Sequence, residues 1–244
     1  MELTLLASQI SKAYSGNQVL KDCSFSIHHP GIYVLTGPNG CGKSSFLRLC
    51  ALLEKPDKGT ISYLDEGVAI PDVTALKRRI TLVLPKVGIF NTTVFGNVAY
   101  GLRIRGIKGK EMTERVDNKL ELAGLSHKKD QNALTLSSGE SQRLGIARAL
   151  VIEPEILFLD EPTAFIDGNN TGIIEDIIQR LKRNRKTSVV MTTHDHAQAA
   201  RLADFLITMD EGKITISPNK PSRSVMHDSG PRETGVHDFP KHTV

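Results

Sequence analysis

The sequence predicts an α/β fold in which a mostly parallel sheet is interrupted by a helical insertion. The continuous apolar runs "IYVLTG", "EILFLD" and "TSVVMTTH" are typical of strands that are buried on both faces of a parallel sheet. Between the first two runs, from about Val94 to Leu150, the apolar residues recur mostly at helical spacing. The chain has 244 residues, which is enough for one large domain or for a core with a small subdomain.

The first elements are predicted to be short strands. The stretch "VLKDCSFSIHH" alternates roughly and ends at the turn Pro30-Gly31. The strand "IYVLTG" follows, then a glycine-rich turn and an apolar helix, "KSSFLRLCALLE". A turn over 56–59 is expected to end this unit.

Helical spacing is clearest in the middle of the chain. Met112, Val116, Leu120 and Ala123 fall on one helical face, and Gly124 is predicted to lie just after the end of that helix. Strand and helix alternate again from "EILFLD" onward. The stretch "DFLITMDEGKITI" predicts a closing hairpin.

These patterns predict one domain over residues 1–216, with the helical insertion at about 86–150. The last thirty residues carry four prolines and little apolar material. Such a segment cannot bury enough surface to order itself, so residues 217–244 are expected to be disordered.

Composition narrows the functional class. The net charge of +4 comes without a dense run of lysine and arginine, which does not favour nucleic-acid binding. The three cysteines, Cys23, Cys41 and Cys50, form no C-x-x-C pair, which fits a reducing cytoplasm. We see neither a signal-peptide pattern nor an apolar run of bilayer length. A role at a membrane would therefore need another chain to hold the protein there.

The motif "GPNGCGKS" lies between a predicted strand and a predicted helix and matches G-x-x-x-x-G-K-[ST]. Its glycines let successive backbone N–H groups form a nest for phosphate oxygens at the helix N-terminus. Lys43 can reach the β- and γ-phosphates, and the Ser44 hydroxyl can bind Mg²⁺. By itself the motif indicates only nucleotide phosphates. The predicted phosphate-binding residues are Gly37, Pro38, Asn39, Gly40, Cys41, Gly42, Lys43, Ser44 and Ser45.

Two later strands end in residues suited to phosphoryl transfer. Asp160 and Glu161 follow "ILFL", at the sheet edge where open α/β sheets bind ligands. Asp160 is a candidate Mg²⁺ ligand, and Glu161 can orient a water or accept its proton. His194 ends "VVMTTH" and could contact the γ-phosphate and the attacking water. Taken alone, the acidic pair also fits a helix start, and the histidine also fits a structural role.

The stretch "LTLSSGESQR" reads locally as a helix start. Ser137 and Glu140 match the S-x-x-E capping box, and Leu144, Ala147 and Leu150 follow at helical spacing. This local interpretation does not exclude a second role.

Together, "GPNGCGKS", "LSSGE", "ILFLDEPTAFID" and "TTHD" occur in the order seen in ABC-transporter ATPase subunits, and the chain resembles that family over roughly residues 2–216. The resemblance implies a P-loop NTPase core with an antiparallel β subdomain and a helical subdomain. It also implies ATP and Mg²⁺ as cofactors, and a dimer. In the family, the signature faces the nucleotide held by the other copy. Here the signature is formed by Leu136, Ser137, Ser138, Gly139 and Glu140.

The resemblance assigns further roles. Tyr14 is similar to the aromatic residue that stacks on adenine, although it also fits a plain strand position. Asp167 is similar to the residue that couples the two sites across the dimer. The stretch "VGIFNTTVFGNVAYGLRIRG" resembles the segment of importer ATPases that meets the membrane subunit.

That segment is most similar to those of tungstate, molybdate or phosphate importers. The implied partners are a second ATPase copy, transmembrane permease subunits and an extracytoplasmic anion-binding protein. The implied location is peripheral, on the cytoplasmic side of the inner membrane.

Pro85 departs from the family pattern. The family usually has a glutamine at the end of this strand, where it contacts Mg²⁺ and water, whereas proline offers no side-chain donor or acceptor. Two alternatives to a transporter motor stay open on the sequence. One is a non-transport ABC ATPase, and the other is a weakly hydrolysing nucleotide-binding regulator, which Pro85 favours.

Overall fold

The computed structural model describes residues 3–219. Within this range it contains ten strands and seven α-helices. The strands are β1 (Leu3–Tyr14), β2 (Asn17–Ile27), β3 (Ile32–Thr36), β4 (Lys58–Asp65), β5 (Val68–Ala69), β6 (Ile80–Val83), β7 (Ile156–Leu159), β8 (Ser188–Thr192), β9 (Phe205–Asp210) and β10 (Lys213–Pro218). The helices are α1 (Lys43–Cys50), α2 (Val73–Lys77), α3 (Val94–Ile104), α4 (Gly109–Leu122), α5 (Ser138–Leu150), α6 (Gly168–Asn184) and α7 (His196–Leu202). Short 3₁₀ turns lie at Ser126–Lys128 and Ala133–Thr135.

The larger sheet has the strand order β10-β9-β3-β8-β7-β6. Its pairs are parallel except for the hairpin that adds β10 to the edge. All residues of β3, β7 and β8 are buried, as the continuous apolar runs predict. The mostly parallel sheet and the closing hairpin are therefore confirmed.

A second, antiparallel sheet has the order β2-β1-β4-β5. Its first two strands are 12 and 11 residues long, so the expectation of short strands was wrong here. Register shifts interrupt their pairing, and Gln9 and Asp22 adopt positive φ angles of 50° and 54°. These irregularities break the alternation of side chains, which is why the sequence pattern is only rough.

The helical insertion lies between β6 and β7 and packs around its own small core. Val98 and Leu102 of α3, Val116 and Leu120 of α4, and Leu144 of α5 are fully buried in it. Thus the apolar helical spacing found in the sequence marks the buried face of this subdomain.

Gly124 adopts a φ of 64° just after α4, at the position where a left-handed residue commonly ends a helix. This placement confirms the predicted end of that helix.

Two predicted boundaries need correction. The helix expected over "KSSFLRLCALLE" ends at Cys50, because Leu52 adopts a left-handed φ of 57° and the Leu53 N–H donates to the Arg48 carbonyl at 2.9 Å. The domain boundary expected at residue 216 falls inside β10. This strand continues to Pro218 because its last residues pair with β9.

Asn219 also belongs to the ordered fold. Its side-chain amide donates to the carbonyls of Ala200 and Ala203, both at 3.0 Å. The rest of the segment expected to be disordered, 220–244, lies outside the described residues. Across residues 3–219, none of the helices has the length and apolar character needed to cross a bilayer.

Candidate active site

The phosphate-binding loop connects β3 to α1 and is curled by its glycines. Gly37 has a φ of 153°, and a Cβ at this position would lie 2.2 Å from the Met209 carbonyl oxygen. Gly42 has a φ of 111°, and a Cβ there would meet the Leu20 side chain at 2.9 Å. The loop conformation therefore depends on residues without a side chain.

Lys43 lies at the start of α1 and is only 7% exposed. Its ammonium group donates to the carbonyls of Gly37 at 2.8 Å and Pro38 at 3.1 Å. The cation is thus held within the curve of the loop, beside a cavity of about 300 Å³. The cavity is lined by Val19, Asn39, Gly40, Gly42, Lys43, Ser44, Ser45 and Glu161.

Asp160 lies at the carboxyl end of β7 and is 2% exposed. Its Oδ1 accepts hydrogen bonds from the Ser44 hydroxyl at 3.0 Å and from the Thr192 hydroxyl at 2.8 Å. The structure therefore joins the two predicted Mg²⁺ ligands, which are 116 residues apart in the chain. Hydroxyl and carboxylate oxygens are hard ligands, so this pair fits Mg²⁺.

Glu161 follows directly and has a left-handed backbone with a φ of 47°. Its N–H donates to the Thr192 hydroxyl oxygen at 2.8 Å, which ties it to the next strand of the sheet. Its carboxylate lies 2.8 Å from Nδ1 of His194, whose side chain is 63% exposed. The two residues predicted to handle the attacking water are thus adjacent.

Tyr14 ends β1 and lies beside the phosphate-binding loop. Its hydroxyl donates to a carboxylate oxygen of Glu54. Burial and this carboxylate raise the pKa of the Tyr14 phenol, whereas a hydrogen bond with Ser45 of the loop lowers it. Stacking of Tyr14 on adenine stays a prediction, although the ring is 37% exposed and stands next to the loop.

The predicted capping box is present at the start of α5. The Ser137 hydroxyl accepts from the Glu140 N–H at 3.3 Å, and the Glu140 carboxylate accepts from the Ser137 N–H at 3.0 Å. A salt bridge from Lys128 at 2.6 Å is the main cause of the lowered pKa of Glu140. The local interpretation of this stretch is confirmed.

The signature helix opens onto a different cavity from the phosphate-binding loop. This cavity, of about 320 Å³, is lined by Pro85, Lys86, Val87, Ser138, Ser141, Gln142, Ala164, Phe165 and Ile166. The phosphate cavity is lined by another set of residues. Within one chain, the loop and the start of α5 therefore line different cavities.

Asp167 caps α6 and connects it to the signature helix through Asn170. The Asp167 carboxylate accepts from the backbone and side-chain N–H groups of Asn170, which lower its pKa. The Asn170 amide oxygen in turn accepts from Arg143 Nε at 2.8 Å. A Cβ on Gly139 would lie 2.4 Å from the Asn170 side chain, so the two helix starts are in close contact.

Three residues of this site, Thr192, Asn170 and Arg143, were not predicted from the sequence. Thr192 ends a buried strand, two residues before His194, so its position at the sheet edge was a usable signal. Asn170 follows a helix N-cap aspartate by three residues, but its contact with Arg143 spans 27 residues. Nothing local in the sequence indicates that second contact.

Pro85 lies two residues after β6, and its side chain is exposed. It lines the signature cavity rather than the phosphate cavity. The departure from the family pattern therefore falls on the connection between the sheet and the helical insertion.

The parallel sheet, the glycine-curled loop with its lysine after β3, and the acidic pair at the end of β7 define a P-loop nucleotide hydrolase. The sequence profile of the family described as "ABC transporter" matches residues 20–164. The chain belongs to the ABC transporter family, as an ATP-hydrolysing, ATP-binding subunit.

The alignments with curated relatives cover most of this chain and most of each relative. The chain is 39% identical over 225 residues to the phosphate import ATP-binding protein PstB 1 of Yersinia pestis bv. Antiqua (strain Antiqua), covering 87% of this chain and 83% of the relative. It is 37% identical over 216 residues to a probable anion import ATP-binding protein of Haloferax volcanii, covering 82% and 75%.

Among solved structures, it is similar to cbiO1 of Clostridium perfringens, described as part of the ABC transporter complex cbiONQ. The TM-score is 0.78 at 28% identity, and the match covers 90% of this chain and 89% of that one.

Proposed function

We propose that this chain is the ATP-hydrolysing motor of an importer for a small oxyanion, such as phosphate, molybdate or tungstate. The observation that carries the motor assignment is the joining of Lys43, Ser44, Asp160, Glu161 and His194 at one edge of the parallel sheet. The relatives named as phosphate and anion import proteins support the oxyanion cargo.

Each residue has a defined task in this proposal. The loop N–H groups and Lys43 bind the phosphates of ATP. Ser44 and Asp160 hold Mg²⁺, which when bound neutralises developing phosphate charge. Glu161 orients the attacking water and accepts its proton, and His194, at 2.8 Å from Glu161, holds that carboxylate in place.

Two copies are proposed to close head to tail around two ATP molecules. The N-terminus of α5 is suited to bind phosphate, but its residues Ser138 and Ser141 line a cavity separate from the phosphate-binding loop. A nucleotide held by the partner's loop could enter this separate cavity and bind at the helix N-terminus. Closure would bring Asp167 of each copy to the partner, as expected for the coupling residue.

The permease subunits are proposed to dock between the sheet and the helical insertion. Phe90 and Tyr100 are exposed there, with ring centroids 4.6 Å apart. Arg148 lies 4.9 Å above the Phe90 ring and donates to the Gly88 carbonyl at 2.8 Å. This aromatic surface borders a cavity of about 180 Å³ and is suited to receive a short helix.

In this arrangement the chain is peripheral to the cytoplasmic face of the membrane, and an extracytoplasmic anion-binding protein delivers the cargo. ATP binding closes the dimer, and hydrolysis reopens it. The permease converts that cycle into transport.

The test compares wild type with Lys43→Ala in two assays. Purified wild-type protein should hydrolyse ATP only with Mg²⁺, and Lys43→Ala should lose most turnover because the phosphates lose their main cation. In a deletion strain of the source organism, wild type should restore uptake of labelled phosphate, molybdate or tungstate, and Lys43→Ala should not.

Unchanged hydrolysis by Lys43→Ala would contradict the site. If the purified protein hydrolyses ATP normally but the deletion strain still takes up all three anions, only the proposed cargo is contradicted.

A further inference from the structure

Glu54 lies in the turn between α1 and β4, and its side chain is 28% exposed. One of its carboxylate oxygens accepts from the Tyr14 hydroxyl, and the other lies 3.7 Å from Nη1 of Arg48 on α1. Each oxygen therefore has its own partner. The carboxylate connects the end of β1 with the helix that follows the phosphate-binding loop.

The turn that carries Glu54 is fixed on both sides. The Leu53 N–H donates to the Arg48 carbonyl at 2.9 Å, which closes the end of α1. Three residues after Glu54, the Asp57 carboxylate accepts from the Ala13 N–H of β1 at 2.8 Å. The backbone around Glu54 is thus held against both α1 and β1, so the position of its carboxylate is a property of the fold.

Tyr14 is held by groups near both ends of α1. Besides its bond to Glu54, its hydroxyl forms a hydrogen bond with Ser45 in the first turn of that helix. Burial is the main cause of the raised pKa of the phenol, which therefore keeps its proton and donates it to Glu54. The residue is still 37% exposed. An aromatic side chain that is fixed at its polar tip and exposed elsewhere can present a ring face to a flat ligand.

We propose that Glu54 is a positioning residue for nucleotide binding, which fixes the Tyr14 ring in the orientation that stacks on the adenine of ATP. This inference rests on the proposed function, because it needs ATP on the phosphate-binding loop, and on the predicted stacking of Tyr14. A ring that is already fixed loses little conformational entropy when the base binds. A hydrogen bond to a carboxylate is charge-assisted, so it holds the hydroxyl more firmly than a neutral acceptor would.

The first test separates binding of the base from binding of the phosphates. Glu54→Ala should raise the KM for ATP about three- to tenfold and leave kcat nearly unchanged, because the phosphates and the attacking water keep their own contacts. Inorganic triphosphate, which lacks the base, should inhibit ATP hydrolysis with the same inhibition constant in wild type and variant. Glu114→Ala, which removes an exposed carboxylate of α4, is the control and should change none of these values.

The second test shows whether Glu54 acts through the Tyr14 hydroxyl. Tyr14→Phe keeps the ring and removes the hydroxyl, so it should raise the KM for ATP about as much as Glu54→Ala does. The KM of the double variant should be no higher than that of the weaker-binding single variant, because both changes remove the same hydrogen bond. Glu54→Gln keeps an acceptor oxygen and should recover most of the affinity.

The outcomes distinguish a failure of the positioning role from a failure of the proposed function. If wild type does not hydrolyse ATP, the proposed function fails and the positioning role fails with it. If wild type hydrolyses ATP and either Glu54→Ala or Tyr14→Phe has the wild-type KM, the active site stands and the positioning role is refuted. Effects on KM that multiply in the double variant, or weaker inhibition of Glu54→Ala by triphosphate, would also refute it, since Glu54 would then act on something other than the Tyr14 ring.

Discussion

Glu161 shows how single residues are fixed in this site. Its left-handed backbone, with a φ of 47°, costs free energy of order 1–3 kcal/mol. The bond from its N–H to Thr192 and the contact of its carboxylate with His194 hold it in that conformation. The strain places the carboxylate beside the phosphate cavity, which its side chain lines.

We therefore predict that Glu161→Gln lowers the rate of ATP hydrolysis by about 10²- to 10⁴-fold, the usual contribution of a general base. The amide keeps the shape of the side chain but cannot accept the proton of the water. ATP affinity should be retained, and the dimer should stay closed. Steady-state ATPase and light scattering with ATP measure these effects, and normal turnover would remove Glu161 from this role.

Pro85 is a second position where a single side chain is expected to limit turnover. In the family pattern a glutamine at this position contacts Mg²⁺ or the attacking water, whereas Pro85 offers no side-chain ligand and lines the signature cavity. Mg²⁺ commonly keeps several waters, so a water can replace the missing oxygen and ATP binding should survive. The attacking water, however, should be positioned less well. We expect Pro85→Gln to raise turnover more than it changes nucleotide affinity.

Steady-state ATPase and nucleotide binding, each at several Mg²⁺ concentrations, check the Pro85 prediction. The exposed position of Pro85 makes gross misfolding of the variant unexpected. If turnover stays the same or falls, other residues compensate for the missing glutamine. Pro85 then no longer favours a weakly hydrolysing nucleotide-binding regulator.

At the scale of elements, Asn170 joins the starts of α5 and α6. Its side chain accepts from Arg143 and donates to Asp167, and it packs on Gly139. One side chain therefore connects the signature helix with the predicted coupling residue. We infer that Asn170 positions these neighbours and does not itself contact the nucleotide.

We predict that Asn170→Ala lowers kcat for ATP several-fold and leaves KM nearly unchanged, because the signature and Asp167 lose their common support. Leaving Arg143 Nε without its acceptor should also lower the free energy of unfolding by about 1–3 kcal/mol. Asn169→Ala, at an exposed neighbour on the same helix, is the matched control. A loss of stability with unchanged kcat would show a purely structural role.

The elements that the sequence predicted well are those with local signals. Continuous apolar runs specify β3, β7 and β8, and the Ser137–Glu140 pair specifies the start of α5, because these features involve neighbours in the chain. Bulges in β1 and β2 blurred their alternation. Thr192 ends a buried strand, which indicates its place at the sheet edge, but its contact with Asp160 spans 32 residues and is not indicated by the local pattern.

In the whole molecule, the phosphate-binding loop and the signature helix are separate, which determines how two copies would build each ATP site. The phosphate-binding loop and the signature helix line different cavities in one chain. If each ATP needs both elements, then each site of the dimer takes the loop from one copy and the signature from the other. Two inactivating substitutions in different copies can therefore fall in the same site.

This geometry predicts complementation between two inactive proteins. Ser137→Arg should block hydrolysis in a pure dimer while leaving ATP binding by the monomer intact, because the long cation fills the anion site meant for the partner's nucleotide. Lys43→Ala should also be inactive. In a mixed dimer, one site carries both substitutions and the other carries neither, so mixing should restore part of the activity.

The measurement is ATPase activity at a series of mixing ratios with constant total protein. Random pairing places half of the dimers in the mixed state at an equal ratio, so activity should peak there and vanish at both extremes. A mixture of Lys43→Ala with a Lys43→Ala, Ser137→Arg double variant is the control, because every site then lacks the lysine. If the two single variants show no recovery at any ratio while both still bind or dimerise as expected, the signature does not act on the partner's nucleotide.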